Sequence, residues 1–369
     1  MKNNQKSIVI VFNSLNIGGI ETKIIDLCRY FSSKSNIKIY LLLKNKSGPL
    51  LNSLPDKIRI LSPQSPNLFK FKAIVFPLWT INLVHKIKPN LILAFGNYCG
   101  ITASLSKTFG NPSSHLIISE DSSVDIQLQS DTFSKLRTLL VRLLYPQADK
   151  IITLTSAGKE KLSKLLGKII RSKITIVPNW LPNSCIASTS PKTSSKNIDL
   201  LFLGRFEPQK NPLEFLEISK KLIKINPKIK IVMVGYGSLE TTMKKYIINN
   251  KLSKNISILP ATTDPSLYYL DSKIFLLSSI HEGFPLTLLE ASAAGCLPLS
   301  HHLPETQSFF DYYPSLCQYQ NPDSAVKNIT RLLSNPGLRK NISHYYQQKV
   351  RKNQNSNFET TINFIKQYL

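Results

Sequence analysis

Ile274-Phe-Leu-Leu-Ser-Ser-Ile-His-Glu282-Gly-Phe-Pro285-Leu-Thr-Leu-Leu-Glu290-Ala291 passes through three kinds of chain in eighteen residues. Ile274 to Leu277 is an apolar run of strand length, Ser278 to Phe284 holds a glycine among polar side chains, and from Pro285 apolar residues return at helical density. Proline suits the first position of a helix, where its missing N–H costs nothing and its φ is already helical. The stretch reads as strand, loop and helix, which is half of a βαβ unit and points to a parallel sheet.

The same rhythm extends outward. Strands are expected at Asp199–Leu203, Lys230–Val234, Ile256–Leu259 and Leu297–Ser300, and earlier at Ile8–Phe12, Lys38–Leu43, Leu91–Phe95, Leu116–Ser119, Lys150–Leu154 and Ile174–Val177, with helix-length segments between them. It stops once, over the polar, turn-forming Pro182 to Lys196, which reads as a linker. The expected fold is α/β, with two Rossmann-like, doubly wound parallel-sheet domains, residues 1–182 and 197–355, joined by a linker at 183–196. A length of 369 residues, at roughly 150 per domain, agrees, and the 42% hydrophobic content supplies two ordinary cores. Ligands of such sheets bind at the loops after the strands, here expected to face each other across a cleft.

Lys and Arg number 47 against 22 Asp and Glu, a formal +25, of which residues 1–190 carry +16. Such a field attracts phosphates, nucleic acid or acidic lipid, and charge alone does not choose among them. The five cysteines never fall at short spacing, so neither a disulfide framework nor a zinc site is expected, and a reducing compartment is. Met1 to Lys6 runs into a strand without a signal-peptide pattern, and the longest apolar run, Ala73 to Val84, contains Pro77 and falls short of the ~20 residues of a spanning helix. A cytoplasmic protein, soluble or resting on a surface, is expected.

Three loops could carry chemistry. After the first strand, Gly18 and Gly19 meet a helix with apolar positions at Ile24, Leu27, Cys28 and Phe31, which reads either as an anion-binding helix start or as a tight turn. After Leu201 to Leu203, Gly204 and Arg205 lead to Lys210, and a helix is expected from Asn211 as cap, with Pro212 first and Glu214 third. Two cations on one strand-end loop suit a diphosphate; the alternative is two solvated surface charges. In the third loop, amides from Gly283 and Phe284 through Leu286 and Thr287 would point at an anion. Glu282 and Glu290, if joined by continuous helix, stand about 12 Å apart along the axis, beyond the ~5–9.5 Å of a hydrolytic carboxylate pair. Separate roles are expected for them, and Glu290 has apolar neighbours that fit poorly with a merely exposed helix position.

Taken together, Gly18-Gly19, Gly204-Arg205 with Lys210, and Glu282-Gly-Phe-Pro followed by Glu290 resemble a retaining glycosyltransferase of family 4, with the two-domain GT-B fold. Ala148-Asp-Lys-Ile-Ile152, Ile176-Val-Pro-Asn179, Gly235-Tyr-Gly237 and Pro304-Glu305 echo it, so the likeness spans nearly the whole chain. The resemblance implies that Gly18 and Gly19 approach the donor phosphates while Arg205 and Lys210 hold the diphosphate. Glu282 would face the transferred sugar, Glu290 would accept from the ribose, and the amides of Gly283, Phe284, Leu286 and Thr287 would support the sugar and distal phosphate. It implies no metal and no cofactor beyond the nucleotide-sugar substrate, a glycan or lipid-linked acceptor, and a final helix, 356–369, packed back on the first domain. Where many members carry a histidine, this chain has Glu120-Asp121 after Ile117-Ile118-Ser119, which makes Glu120 a second catalytic candidate, with a surface acid as the alternative. Pro260 and Ser300-His-His-Leu303 also depart from the pattern and leave base and sugar open. The six histidines show no metal spacing.

Two stretches, Leu68 to Trp79 and Phe133 to Tyr145, mix bases with aromatics or leucines and fit either an anionic leaflet or a core-facing helix with a basic face. The competing functions are a nucleotide-sugar epimerase, which needs no acceptor, and a basic nucleic-acid binder. Acidic residues in the ligand loops argue against the latter, and no nucleic-acid partner is expected.

Overall fold

Ile8–Phe12 and Leu91–Phe95 are apolar throughout rather than at alternate positions, as strands covered on both faces must be, and both are buried along their whole length. In the computed structural model, which describes residues 5–63, 72–121, 134–182 and 196–369, they lie at the centre of a seven-stranded parallel sheet. Its strands are β1 (Lys6–Phe12), β2 (Ile37–Leu43), β3 (Arg59–Leu61), β4 (Leu91–Phe95), β5 (His115–Glu120), β6 (Lys150–Thr153) and β7 (Ile174–Ile176), in the order β3-β2-β1-β4-β5-β6-β7. Ile8 pairs with Ile39 on one side and Leu91 on the other. The accompanying helices are α1 (Gly19–Ser32), α2 (Lys72–Ile87), α3 (Asn97–Phe109), α4 (Ser134–Leu144) and α5 (Ser156–Leu166).

The second sheet repeats the winding with β8 (Ile198–Leu203), β9 (Ile231–Gly235), β10 (Ile256–Pro260), β11 (Ser272–Leu277), β12 (Leu297–His301) and β13 (Gln318–Tyr319), in the order β10-β9-β8-β11-β12-β13. Its helices are α6 (Pro212–Ile225), α7 (Glu240–Asn249), α8 (Ser266–Asp271), α9 (Leu286–Ala293), α10 (Pro314–Cys317), α11 (Pro322–Ser334) and α12 (Pro336–Lys366). The chain forms two units, Met1–Asn179 with Asn357–Leu369, and Trp180–Ser356. Leu181 already belongs to the core of the second, and residues 183–195 of the expected linker lie outside the described residues. The last turns of α12 pack on the first unit: Phe358 meets Tyr30 edge to face at 5.8 Å, the Asn357 amide donates to the Asn179 carbonyl at 2.9 Å, and Ile362 and Ile365 are buried.

Three local expectations change. Strands β3 and β13 were not expected, and both are edge strands of two or three residues, too short to show a period. Asn211 stands before Pro212 but adopts a left-handed conformation (φ 49°, ψ 52°) and accepts no capping bond; its amide instead donates to Glu214 at 2.9 Å. Helix α9 begins at Leu286, with Pro285 as its extended N-cap (φ −74°, ψ 124°) rather than its first residue.

Candidate functional site

In a doubly wound sheet the winding reverses once, and a crevice opens there beyond the strand ends. The second sheet reverses between β8 and β11, so the loops after these two strands, 204–211 and 278–285, flank one crevice. They are tied together. The Ile280 amide donates to the Gln209 carbonyl at 2.9 Å, and the Gln209 side chain donates to the His281 carbonyl at 3.2 Å. The Ser278 hydroxyl lies 2.9 Å from the Lys210 carbonyl and 3.1 Å from that of Asn211. Across this seam Lys210 Nζ meets Glu282 Oε1 at 2.5 Å, with the two side chains 16% and 7% exposed. Arg205 is exposed and donates to Gln209 Oε1 at 3.0 Å.

Why the chain can turn here is visible in two glycines. A Cβ on Gly235 would fall 2.0 Å from the Gly204 carbonyl oxygen, so the ends of β8 and β9 approach as only glycine permits. Gly237 has φ +157°, and a Cβ there would strike the Phe206 backbone. The same loops are stitched by the Ser238 amide and hydroxyl, which donate to Glu207 at 2.9 and 2.7 Å and hold its carboxyl below the usual range.

Helix α9 carries the rest of the second-unit candidates. Leu286 and Thr287 lie in its first turn, where backbone amides have no acceptor within the helix. Phe284 packs edge to face on Phe309 at 5.8 Å, which fixes the strand-to-helix loop to the core. Glu290 sits one turn along, with its Oε2 accepting from the Tyr269 hydroxyl at 3.0 Å. Ser279 Oγ and Thr287 Oγ1 are buried with no hydrogen-bond partner among the described residues, a condition that costs about 1–3 kcal/mol per group until a ligand or water satisfies it. The end of α9 is clamped by α12, with Gln347 and Arg351 both donating to the Ala293 carbonyl at 3.0 and 3.1 Å.

The first sheet reverses between β1 and β4. Gly18 is the extended N-cap of α1 and Gly19 its first residue; a Cβ on Gly18 would press on the Glu21 carboxylate, 2.4 Å away. Behind them Lys23 Nζ meets Asp121 Oδ2 at 2.8 Å, with both side chains almost wholly buried. Glu120, the last residue of β5, is only 2% exposed. The Tyr145 hydroxyl donates to its Oε1, while its Oε2 is buried without a partner among the described residues. Burial pushes this carboxyl up to about 8, the Tyr145 hydrogen bond opposing and the Asp121 charge adding to the effect.

The structure therefore brings Arg205, Lys210 and Glu282 into one crevice, places Gly283, Phe284, Leu286, Thr287 and Glu290 on the loop and helix leaving it, and sets Gly18 and Gly19 at the start of α1 and Glu120 at the end of β5 in the other unit. Sequence reasoning missed Gln209, Tyr269 and Tyr145, which act through partners 72, 21 and 25 residues away; no local spacing announces such contacts.

Residues 187–349 match the family described as Glycosyl transferases group 1. The chain is 24% identical over 337 residues, 90% of its length and 91% of the relative's, to the N-acetylgalactosamine-N,N'-diacetylbacillosaminyl-diphospho-undecaprenol 4-alpha-N-acetylgalactosaminyltransferase of Campylobacter jejuni. It is 26% identical over 277 residues, 69% of each chain, to the UDP-Gal:alpha-D-GlcNAc-diphosphoundecaprenol alpha-1,3-galactosyltransferase of Escherichia coli. Among solved structures, sucrose-phosphate synthase from Thermosynechococcus elongatus superposes with a TM-score of 0.81 at 13% identity, covering 98% of both chains. The architecture is that of the GT-B glycosyltransferases, two parallel-sheet α/β domains.

Proposed function

We propose that this protein is a retaining, metal-independent glycosyltransferase that moves a hexose-type sugar from a nucleoside diphosphate to a hydroxyl of a lipid-linked glycan acceptor. The carrying observation is the seam at the β8/β11 crevice, where Lys210 pairs with Glu282, Arg205 on the same loop holds Gln209, and Glu282 lies three residues before the N-cap of α9. In the transfer, the bond from the sugar to the diphosphate breaks, a bond to the acceptor oxygen forms, and the acceptor proton leaves with the released diphosphate. Negative charge grows on the diphosphate, so fixed cations and helix amides aimed at it lower the barrier. In this reading Lys210 exchanges part of its contact with Glu282 for phosphate oxygens, Arg205 leaves Gln209 for the same anion, and Glu282 is freed toward sugar hydroxyls. These groups supply the positive charge that a divalent cation would otherwise bring. Glu290, oriented by Tyr269, accepts from the ribose; within the first unit Gly18 and Gly19 remain candidates for the donor phosphates at the start of α1, and Glu120, its carboxyl held by Tyr145, is the second catalytic candidate.

The match of residues 187–349 and the two relatives, whose names specify undecaprenol-diphosphate-linked sugars, support the sugar-transfer class and a lipid-linked acceptor. Such an acceptor would bring the protein to the inner face of the cytoplasmic membrane as a peripheral protein; no described helix is long and apolar enough to cross a membrane. The test is incubation with UDP-, GDP- and ADP-sugars and a polyprenyl-diphosphate sugar, with and without EDTA, read by mass spectrometry. A product one sugar heavier, insensitive to EDTA and lost in Lys210→Ala, is expected. Conversion of donor alone into another sugar would replace this reading with an epimerase.

A further inference from the structure

On α4, Leu136, Leu139 and Leu143 are 54%, 51% and 60% exposed. At 100° per residue they fall within one 60° stripe, and the exposed Lys135 and Arg142 border that stripe on one side. Val141, on the opposite face, is fully buried and anchors the helix. Arg142 donates to the Leu165 carbonyl at 3.1 Å, which ties the end of α4 to the end of α5. Four residues further on, Ile169 is 91% exposed between the exposed Lys164 and Lys168 on one side and Arg171 on the other. From residue 134 to 173 the chain carries ten Lys and Arg and only two carboxylates, Asp149 and Glu160. On α4 exposed leucines thus lie beside exposed cations, and the turn after α5, tied to α4 through Arg142, adds an exposed isoleucine among further cations. In the other basic stretch considered, α2 exposes Ile74 and Leu78, but Lys70 lies outside the described residues.

We propose that the outer face of α4, with the turn after α5, is the surface by which this protein docks on an anionic lipid bilayer. It rests on the sugar-transfer reading for its purpose, since a lipid-linked acceptor is reached at a membrane. The physics requires both parts of the patch. Leucines enter the acyl boundary while flanking lysines meet anionic headgroups, and each basic residue near such a surface adds attraction that salt weakens. Nucleic acid would match the charge but offers its backbone no use for a leucine stripe. A second copy of the chain would bring the same positive face against itself. The position also matters: Tyr145, which follows α4 directly, donates to Glu120, so the docking helix ends one residue before the hydrogen-bond partner of the second catalytic candidate.

The experiment is co-sedimentation of the full chain with vesicles of phosphatidylglycerol and phosphatidylcholine in equal parts, and with phosphatidylcholine alone, at 0.1 M salt. At least tenfold stronger partitioning to the anionic vesicles is expected. Leu139→Glu should lower it about tenfold, as should the combined Lys135→Glu, Lys164→Glu, Lys168→Glu variant, with an unchanged thermal shift by nucleotide in both. Leu136→Ser with Leu143→Ser gives a milder second probe should Leu139→Glu fold poorly. The proposal is overturned if wild type ignores anionic vesicles, if the variants partition like wild type, or if wild type is a dimer that Leu139→Glu makes monomeric. Vesicle binding without sugar transfer would remove only the transferase reading, and transfer in detergent without vesicle binding would remove only the docking surface.

Discussion

Each sheet spans its reversal with a lysine–carboxylate pair, and the two pairs differ in their access to water. In the first unit Lys23 of α1 meets Asp121 beyond β5 at 2.8 Å, with side chains 5% and 2% exposed. In the second, Lys210 meets Glu282 at 2.5 Å, with side chains 16% and 7% exposed. A sealed pair has no exchange partner, so it fixes α1 against the end of β5 and removing one member strands the other charge. A half-open pair, bordered by the exposed Arg205, can trade one contact for an incoming anion. One winding thus yields a brace in one place and, in the proposed reading, a ligand site in the other, and the difference lies in a few side chains rather than in topology.

The comparison can be broken most severely at the brace. Lys23→Ala should destabilise the fold by about 3–5 kcal/mol, measured by denaturant unfolding, whereas Lys23→Met combined with Asp121→Leu should recover most of that loss. A cost below about 1 kcal/mol for the single variant would mean that the pair braces nothing. At the open pair the expectation reverses. Lys210→Ala should destabilise the fold less than Lys23→Ala does, because Lys210 is partly open to water, and slow sugar transfer about 10²–10³-fold, the scale of losing one donor to a developing anion, and Lys210→Arg should restore part of the rate. Equal effects on stability at both sites would erase the contrast.

Glu120 sharpens it through pH. Burial raises its carboxyl from 4.5 to about 8, so between those values the folded chain keeps a proton that the unfolded chain has released. Its stabilising contribution is therefore complete below the unfolded value and is lost as pH rises through about 8, at up to about 1.4 kcal/mol per pH unit. Glu120→Gln cannot lose a proton, so its stability relative to wild type should rise by about 2 kcal/mol between pH 6 and 7.5, read from paired unfolding curves. Parallel curves would show that the carboxyl titrates normally. The smallest effect is expected at Tyr269→Phe, which deletes one hydrogen bond to Glu290 and should weaken nucleotide binding about fivefold, near 1 kcal/mol, by calorimetric titration.

Much of this is legible in the sequence. Strands β1, β4, β8 and β11 each hold an unbroken apolar run, Ile8–Phe12, Leu91–Phe95, Leu200–Leu203 and Ile274–Leu277, because both faces of a central parallel strand are covered, and the loops after β8 and β11 announce themselves through glycine, proline and charge. Edge strands are held by a few backbone hydrogen bonds and little burial, so Arg59–Leu61 and Gln318–Tyr319 leave no pattern to read. The left-handed Asn211 was invisible because its side chain serves Glu214 in place of the backbone it was expected to cap. At the site, Lys210 and Glu282 were assigned to different parts of the donor, and nothing in their separation of 72 residues foretold that they would hold each other. The burial of Glu120 depends on Tyr145 closing over it, a fact of tertiary packing that a strand-end carboxylate in sequence does not reveal.

Because residues 357–369 complete the first unit after the whole of Trp180–Ser356, order of synthesis and order of completion are opposed. Once made, residues 1–179 must wait for the 177 residues of Trp180–Ser356, about 10–35 s at ordinary elongation rates, before Phe358, Ile362 and Ile365 can cover Tyr30 and the surface around it. During that interval it is a docking face in search of its own chain, and the cell must keep that face from other partners.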